Sequence, residues 1–369
     1  MQKIIDTISD SPIKYGAILG VVMVLILGVG IAYSRWDAPL GPALDLPTAT
    51  SVVTETSPPT ETSALPTDTP DVMVSATPTD LPQPTLTPTI EPMCGGPPQM
   101  TILIAGVASD GYLFGLADAV RVARVDFQTG KVQVVAVPRD LWVDIPAVAD
   151  HGVTEGKLNQ AYFYGTEGMG FFDGSGYGSG LLAQTLQEEF GLHVDHYLAV
   201  NLHAFRNIVD GIGGVDVYLP EPVYTKWFGE PKLFKKAGSH HLDGKEAEKI
   251  VRARIDIGDY GRINNQTIVL KAIAAKMISP SGVKNLPDIV SRLINYTLTD
   301  LSPSDVSKLL CLAEKVDPRE DVTYKPIPDS MTEGEWVMDE YQGYNVYALT
   351  YNEEELRELF RNFQQGLWP

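Results

Sequence analysis

Residues Ala38 to Pro98 set the main constraint. The run is rich in Pro and Thr, carries Asp and Glu, and contains no Lys or Arg. Such a composition cannot bury a core, so the segment is expected to be a disordered, extended tether, partly polyproline II. At ~3.1 Å per residue it would reach up to ~190 Å. Any folded domain must therefore be built largely from the residues C-terminal to it.

Ahead of the tether, Tyr15 to Tyr33 carries no charge. As a helix it would span ~28 Å, close to the hydrocarbon thickness of a bilayer. Arg35 and Trp36 read as interface anchors. A cleaved signal peptide is the competing reading, but its apolar region is usually shorter and no small-x-small cleavage site is evident. Lys3 and Lys14 favour a cytoplasmic N-terminus. The expected organisation is a cytoplasmic head at 1–14, a transmembrane helix at 15–34, an extracellular linker at 35–98 and a folded domain at 99–369. The expected location is the cell membrane, single-pass, with the lipid bilayer as a partner.

Acidic residues outnumber basic ones 47 to 28, giving a net charge of −19. This excludes general nucleic-acid binding, which needs a positive surface. There are two cysteines, Cys94 and Cys311, with no zinc-type spacing. They fit either a disulfide, in a domain outside the cytoplasm, or two buried thiols.

From Met100 onward the pattern turns globular. Thr101–Val107 reads as a buried strand, and Ala119–Asp126 and Lys131–Val137 as two strands joined at the FQTG turn. Helices are predicted over Leu181–Phe190, from Asn201 to Val209, over Arg262–Ile278, after Ser302 and over Glu353–Phe363. Short strands fall at Tyr197–Val200, Val215–Leu219 and Asp321–Pro326. The mixture predicts one three-layer α/β/α domain with a mixed central sheet.

Within this acidic domain, Lys249–Arg262 concentrates cations at Arg252, Arg254 and Arg262. Asp243 and Glu246 read as a capping box that opens a helix through about Ile250. Arg252 and Arg254 share a face only if the chain then runs extended. Convergent guanidinium groups suit a phosphate or pyrophosphate. The plainer alternative is surface pairing with Asp256, Asp259 and other acids.

Other candidates are individually weak. VAVPRD ends a buried strand and presents Arg139 and Asp140, where open α/β sheets place ligands. KLNQAYFYG offers Lys157, Asn159 and Tyr162. Asp110 and Asp118 flank a Gly-containing loop and could hold Mg²⁺, which favours oxygen ligands. The glycines of GFFDGSGYGSG lack the pattern of a P-loop. His240 and His241 lack metal-ligand spacing, and no hydrolytic nucleophile motif is present.

Taken in order, VAVPRD, KLNQAYFYG, DHYLAVNLHAFRNIVDGIGGVDVYLP and AGSHHLDGKEAEKIVRARIDIGDYGR resemble the LytR-CpsA-Psr family of cell-wall enzymes, from about Met100 to Ile278. The resemblance implies a Mg²⁺-dependent phosphotransferase. It would move a glycopolymer from a polyprenyl-pyrophosphate carrier to peptidoglycan. By position, Arg139, Arg254 and Arg262 would hold the pyrophosphate, with Arg252 and Lys157 nearby. Asn159 and Tyr162 would bind substrate. Asp118 would bind Mg²⁺ with Asp110, and Asp140 would orient Arg139 or deprotonate the acceptor. Leu116, Ala119 and Asn265 depart from the family's usual residues. They keep open a lipid-pyrophosphate binder or pyrophosphatase on the same fold, or a regulatory wall-binding ectodomain.

Overall fold

Strand β1 (Gln99–Val107) anchors the domain because its alternate side chains serve two different cores. The computed structural model describes residues 35–46, 91–226, 230–254, 258–277 and 296–368. Leu103, Ala105 and Val107 of β1 face one cluster, whereas Met100 and Ile102 face another. This is the period-two alternation of a strand covered on both sides.

β1 pairs antiparallel with β2 (Ala117–Asp126), which pairs antiparallel with β3 (Val132–Val137). Beyond Pro138, the short strands β4 (Trp142–Asp144) and β5 (Glu155–Lys157) form a ribbon. It leads directly into α1 (Leu158–Tyr164), and α2 (Tyr177–Phe190) follows. β6 (His196–Asn201) lies parallel beside β1, and α3 (Leu202–Gly211) starts at once. Its start is fixed by Asn201, whose Oδ1 accepts from Ala204 N at 2.8 Å.

Next come β7 (Val215–Leu219), β8 (Val223–Thr225), β9 (Lys232–Lys235) and β10 (Gly238–Leu242). Two helices follow, α4 (Gly244–Arg252) and α5 (Gly258–Met277). β11 (Thr297–Thr299), α6 (Pro303–Ala313), β12 (Val322–Pro326), the hairpin β13 (Thr332–Asp339) and β14 (Tyr344–Tyr351), and α7 (Glu353–Gln364) complete the chain. The six-stranded sheet has the order β11-β6-β1-β2-β3-β12 and mixes parallel with antiparallel pairs.

On one face, Val122, Val135 and Leu103 pack with Leu182 and Leu186 of α2 and Phe360 and Phe363 of α7. On the other, Met100 and Phe127 meet Leu312 of α6. Val215, Leu242, Ala247 and Val269 form a third cluster among β7, β10, α4 and α5. α2 sits close to α1 because Gly178 lies against Tyr162, where a Cβ would be 2.5 Å from the Tyr162 carbonyl oxygen.

The membrane expectation requires correction. Among the described residues, no helix is long and apolar enough to cross a membrane, and Tyr15–Tyr33 lies outside them. Single-pass localisation and a bilayer partner depend on that stretch, and the described residues give them no support. The composition-based tether boundary also needs qualifying. Residues 35–46 belong to the same compact unit as the domain. Leu40 N donates to the Leu301 carbonyl at 3.3 Å, Leu44 N to the Asp300 carboxylate at 3.3 Å, and the Tyr197 hydroxyl to the Pro42 carbonyl at 3.1 Å. The cysteines are joined as a Cys94–Cys311 disulfide, tying the entry of the domain to α6.

Candidate functional site

The site forms where β2 begins and β3 ends. Val120 pairs with Val137, so continuing the antiparallel register sets Asp118 opposite Arg139. Pro138 lacks an N–H and closes the strand. The next two residues, Arg139 and Asp140, turn away from the sheet edge. Arg139 is buried and its Nη1 pairs with Asp118. Its Nε lies 3.7 Å from Asp140 and 3.8 Å from Asp259.

The ribbon and α1 supply the next layer. Trp142 pairs with Lys157, which returns the lysine toward the strand end. Lys157 Nζ then reaches Asp140 Oδ1 at 3.1 Å. Asn159 N donates to the Arg139 carbonyl at 3.1 Å, fixing the turn from behind. The start of α5 brings Asp259 and Arg262, which pair with each other at helical i,i+3 spacing. Gln266, one turn on, donates to the Asp118 carbonyl at 3.3 Å and the Val251 carbonyl at 3.4 Å. It thereby links the strand end to the C-terminal part of α4.

Three carboxylates thus meet three cations: Asp118, Asp140 and Asp259 against Arg139, Lys157 and Arg262. Burial raises the Asp259 carboxyl above its ordinary range, and Asp140 adds to this, while Arg262 and Arg139 oppose it. Burial also weakens the hold of Arg262 on its proton, with Asp259 opposing. Arg139 Nε, Arg262 Nε, Asn159 Oδ1 and Asp259 Oδ2 are buried and have no hydrogen-bond partner among the described residues. Buried polar atoms are almost always paired, so a cluster of orphans marks a place for a ligand.

A groove of about 800 Å³ lies at the exit of α4. Arg206, Lys226, Lys245, Lys249, Arg252 and Arg254 line it with Glu248. α4 ends at Arg252, and Ala253 is extended (φ −63°, ψ 130°), so the chain leaves the helix between the two arginines as expected. Arg252 and Arg206 both pair with Glu248, at 2.7 and 2.6 Å.

The LytR_cpsA_psr family profile matches residues 95–364, most of the chain. The chain belongs to the LytR-CpsA-Psr family. It is 30% identical over 213 residues to the polyisoprenyl-teichoic acid–peptidoglycan teichoic acid transferase TagU of Oceanobacillus iheyensis, covering 57% of this chain and 62% of that one. It is 28% identical over 211 residues to the regulatory protein MsrR of Staphylococcus aureus, covering 56% and 58%. The chain therefore spans about three fifths of the length of these relatives. Among solved structures, the fold matches Bacillus subtilis TagV with a TM-score of 0.57 at 21% identity, over 72% of this chain and 97% of that one. It also matches TagT bound to LIIa-WTA, with a TM-score of 0.53 at 22% identity, over 73% and 91%.

Within this family fold, Arg139, Asp140, Lys157, Asn159, Asp118 and Arg262 come together. Arg252 and Arg254 line the groove at the exit of α4 instead. Two other candidates are placed differently. Tyr162 is 1% exposed, with burial pushing its hydroxyl pKa up, so it is a core residue beneath α2. Asp110 pairs with Arg206 at 2.6 Å, and its side chain is 69% exposed. Asp118 pairs with Arg139 instead. In sequence Asp259 resembles a surface counter-ion; its i,i+3 spacing to Arg262 is the signal that places it. Arg121 gives no sequence signal, lying inside an apolar strand. It is buried under α5, donates to the Ile263 carbonyl and Gln266 Oε1 at 3.3 Å each, and burial lowers its pKa to about 10.

Proposed function

We propose that the chain transfers a glycopolymer from a polyprenyl-pyrophosphate carrier to peptidoglycan and releases polyprenyl phosphate. The observation that carries the reading is the pair of buried guanidinium groups, Arg139 and Arg262, whose Nε atoms have no hydrogen-bond partner among the described residues, together with the cationic groove at the exit of α4. Family membership, and relatives named as teichoic acid transferases, support it.

In this reading the acceptor oxygen attacks the phosphorus on the polymer side of the pyrophosphate. A new P–O bond forms, the bridging P–O bond breaks, and polyprenyl phosphate leaves. Catalysis of this kind is mostly positioning and charge neutralisation. Arg139 and Arg262 hold the phosphates, and Arg254 with the groove lysines holds the polymer side. Asp140 is committed to Lys157 and Arg139, so it orients the arginine. Asp259, whose carboxyl holds protons more readily than usual, takes the acceptor proton.

Mg²⁺ binds one or two carboxylates and completes its shell with phosphate oxygens and water. Asp118 is the most open carboxylate of the cluster, at 29% side-chain exposure, and its oxygens suit the ion. Among the described residues no group of three or more His, Cys, Asp or Glu forms a full metal site, so substrate oxygens would complete the shell. A bound ion would offset charge on the phosphates.

The test is a transfer assay with a polyprenyl-pyrophosphate-linked donor, a peptidoglycan fragment and Mg²⁺, read by mass spectrometry. Wild-type protein is expected to yield both polyprenyl phosphate and the joined product. Arg254→Ala, at an exposed position, should lose transfer and keep its fold. Undiminished transfer by that variant would remove Arg254 and the groove from the polymer-side contact. Release of polyprenyl phosphate without joining would indicate hydrolysis instead.

A further inference from the structure

The β13–β14 hairpin exposes large aromatic side chains. Trp336 is 69% exposed, Tyr347 50% and Met338 42%. Trp336 and Tyr347 are direct cross-strand partners, so they share one face, and Met338 is two residues along it. The two rings meet edge to face, with centroids 5.9 Å apart and planes at 74°. The Tyr347 ring is laid down over Gly334, where any Cβ would collide with it. The rings therefore form an edge-to-face pair open to solvent.

The hairpin is also built into the candidate site. Leu349 N donates to the Asp140 carbonyl at 2.8 Å, and Leu349 bridges to Leu141. Tyr260, next to Asp259, shares a 2.8 Å hydrogen bond with Thr332 at the start of β13. The Tyr347 backbone lies two residues, roughly 7 Å, along the strand from the Leu349–Asp140 contact, and its ring leans back over Gly334, the partner of Leu349.

Charge selects the occupant. Between Lys325 and Arg357 there is no Lys or Arg, and the hairpin carries Glu333, Glu335, Asp339 and Glu340. An acidic lipid surface, a phosphate-rich polymer or a second copy of a chain with net charge −19 would be repelled. Uncharged sugar rings are not, and their C–H faces suit the electron-rich faces of Trp and Tyr.

We propose that Trp336 and Tyr347, seated over Gly334, form a sugar-stacking platform that presents the acceptor glycan strand to the Asp140–Asp259 end of the site. This inference rests on the transferase reading above. The experiment titrates the full chain with a tetramer of β-1,4-linked N-acetylglucosamine, following the heat of binding by calorimetry. A pyrophosphate probe is titrated in parallel. Saturable sugar binding is expected, at least about tenfold weaker in Trp336→Ala and in Tyr347→Ala, with partial retention in Trp336→Phe. Gly334→Ala should weaken it too, by displacing the Tyr347 ring. Pyrophosphate binding should be unchanged in all four. Equal sugar binding by Trp336→Ala and wild type, or none by wild type, would overturn the platform. So would Trp336-dependent self-association, binding to anionic vesicles, or parallel loss of pyrophosphate binding. Sugar binding with no transfer would defeat the transferase reading and leave the platform standing.

Discussion

Reducing the Cys94–Cys311 bond should cost a large part of the domain's stability without disturbing the candidate site. The bond joins residues 217 apart in sequence. Closing so long a loop in the unfolded chain restricts it by about 5 kcal/mol in the chain-entropy description, of which about 2–5 kcal/mol is usually realised. A loss of about 3 kcal/mol would lower Tm by roughly 6–12 °C in a domain of this size class. The comparison should use wild-type protein with and without reductant, since Cys94 also packs with Met93 and Leu309 and a serine would change that contact. Calorimetry or thermal circular dichroism reads the shift. A Cys94→Ser/Cys311→Ser variant should match the reduced wild type within a few degrees. Equal Tm for oxidised and reduced protein, with two free thiols per chain under denaturing conditions, would refute the argument.

Other outcomes rest on the same geometry. If Asp259 accepts the acceptor proton, the acid limb of kcat/KM should lie above the ordinary Asp value of 3.8, because activity needs the ionised form and burial raises its pKa. Asp259→Asn should abolish that limb together with most activity; a wild-type pH profile would place the base elsewhere. The Asp300 carboxylate, 3.5 Å from His196 Nδ1, raises the imidazole pKa above 6.5. A raised pKa stabilises the fold fully below the unfolded value and fades as pH rises through the folded one. Urea midpoints should therefore fall over that window, and His196→Gln should flatten the dependence. Gly178→Ala should cost about 1–3 kcal/mol, because its Cβ would press on the Tyr162 backbone; an unchanged urea midpoint would mean that α1 and α2 can separate freely.

Much of the sheet is legible in the sequence because β1, β2 and β3 are buried on both faces and read as near-continuous apolar runs. The caps at Asn201 and Ser302 are legible because each side chain bonds a backbone N–H three residues on. The β13–β14 hairpin is not, since both its faces are largely exposed and Gly334 and the acids break any alternation. Arg139 and Asp118 stand out separately, and only the register of β2 on β3 joins them. Tyr162 is misplaced by the sequence because nothing in KLNQAYFYG says which side of α1 faces the core; Leu158, Ala161 and Tyr162 all turn inward. Asp259 is undervalued because an acid among arginines looks like a solvated counter-ion until burial is known.

The strap formed by residues 35–46 has a further consequence, which concerns self-recognition by the sheet. β11 is three residues long and ends the sheet, so its outer side could template a foreign strand. Leu40 bonds to Leu301 just past β11, and Gly41 lies so near the Thr299 carbonyl that a Cβ there would be 2.7 Å from its oxygen. The strap thus shields that edge. At the opposite edge, β12 ends in Pro326, which has no N–H to offer. A shortened chain that starts beyond residue 46 would keep the whole candidate site but lose the shield on β11. It would be prone to pair edge to edge with its neighbours.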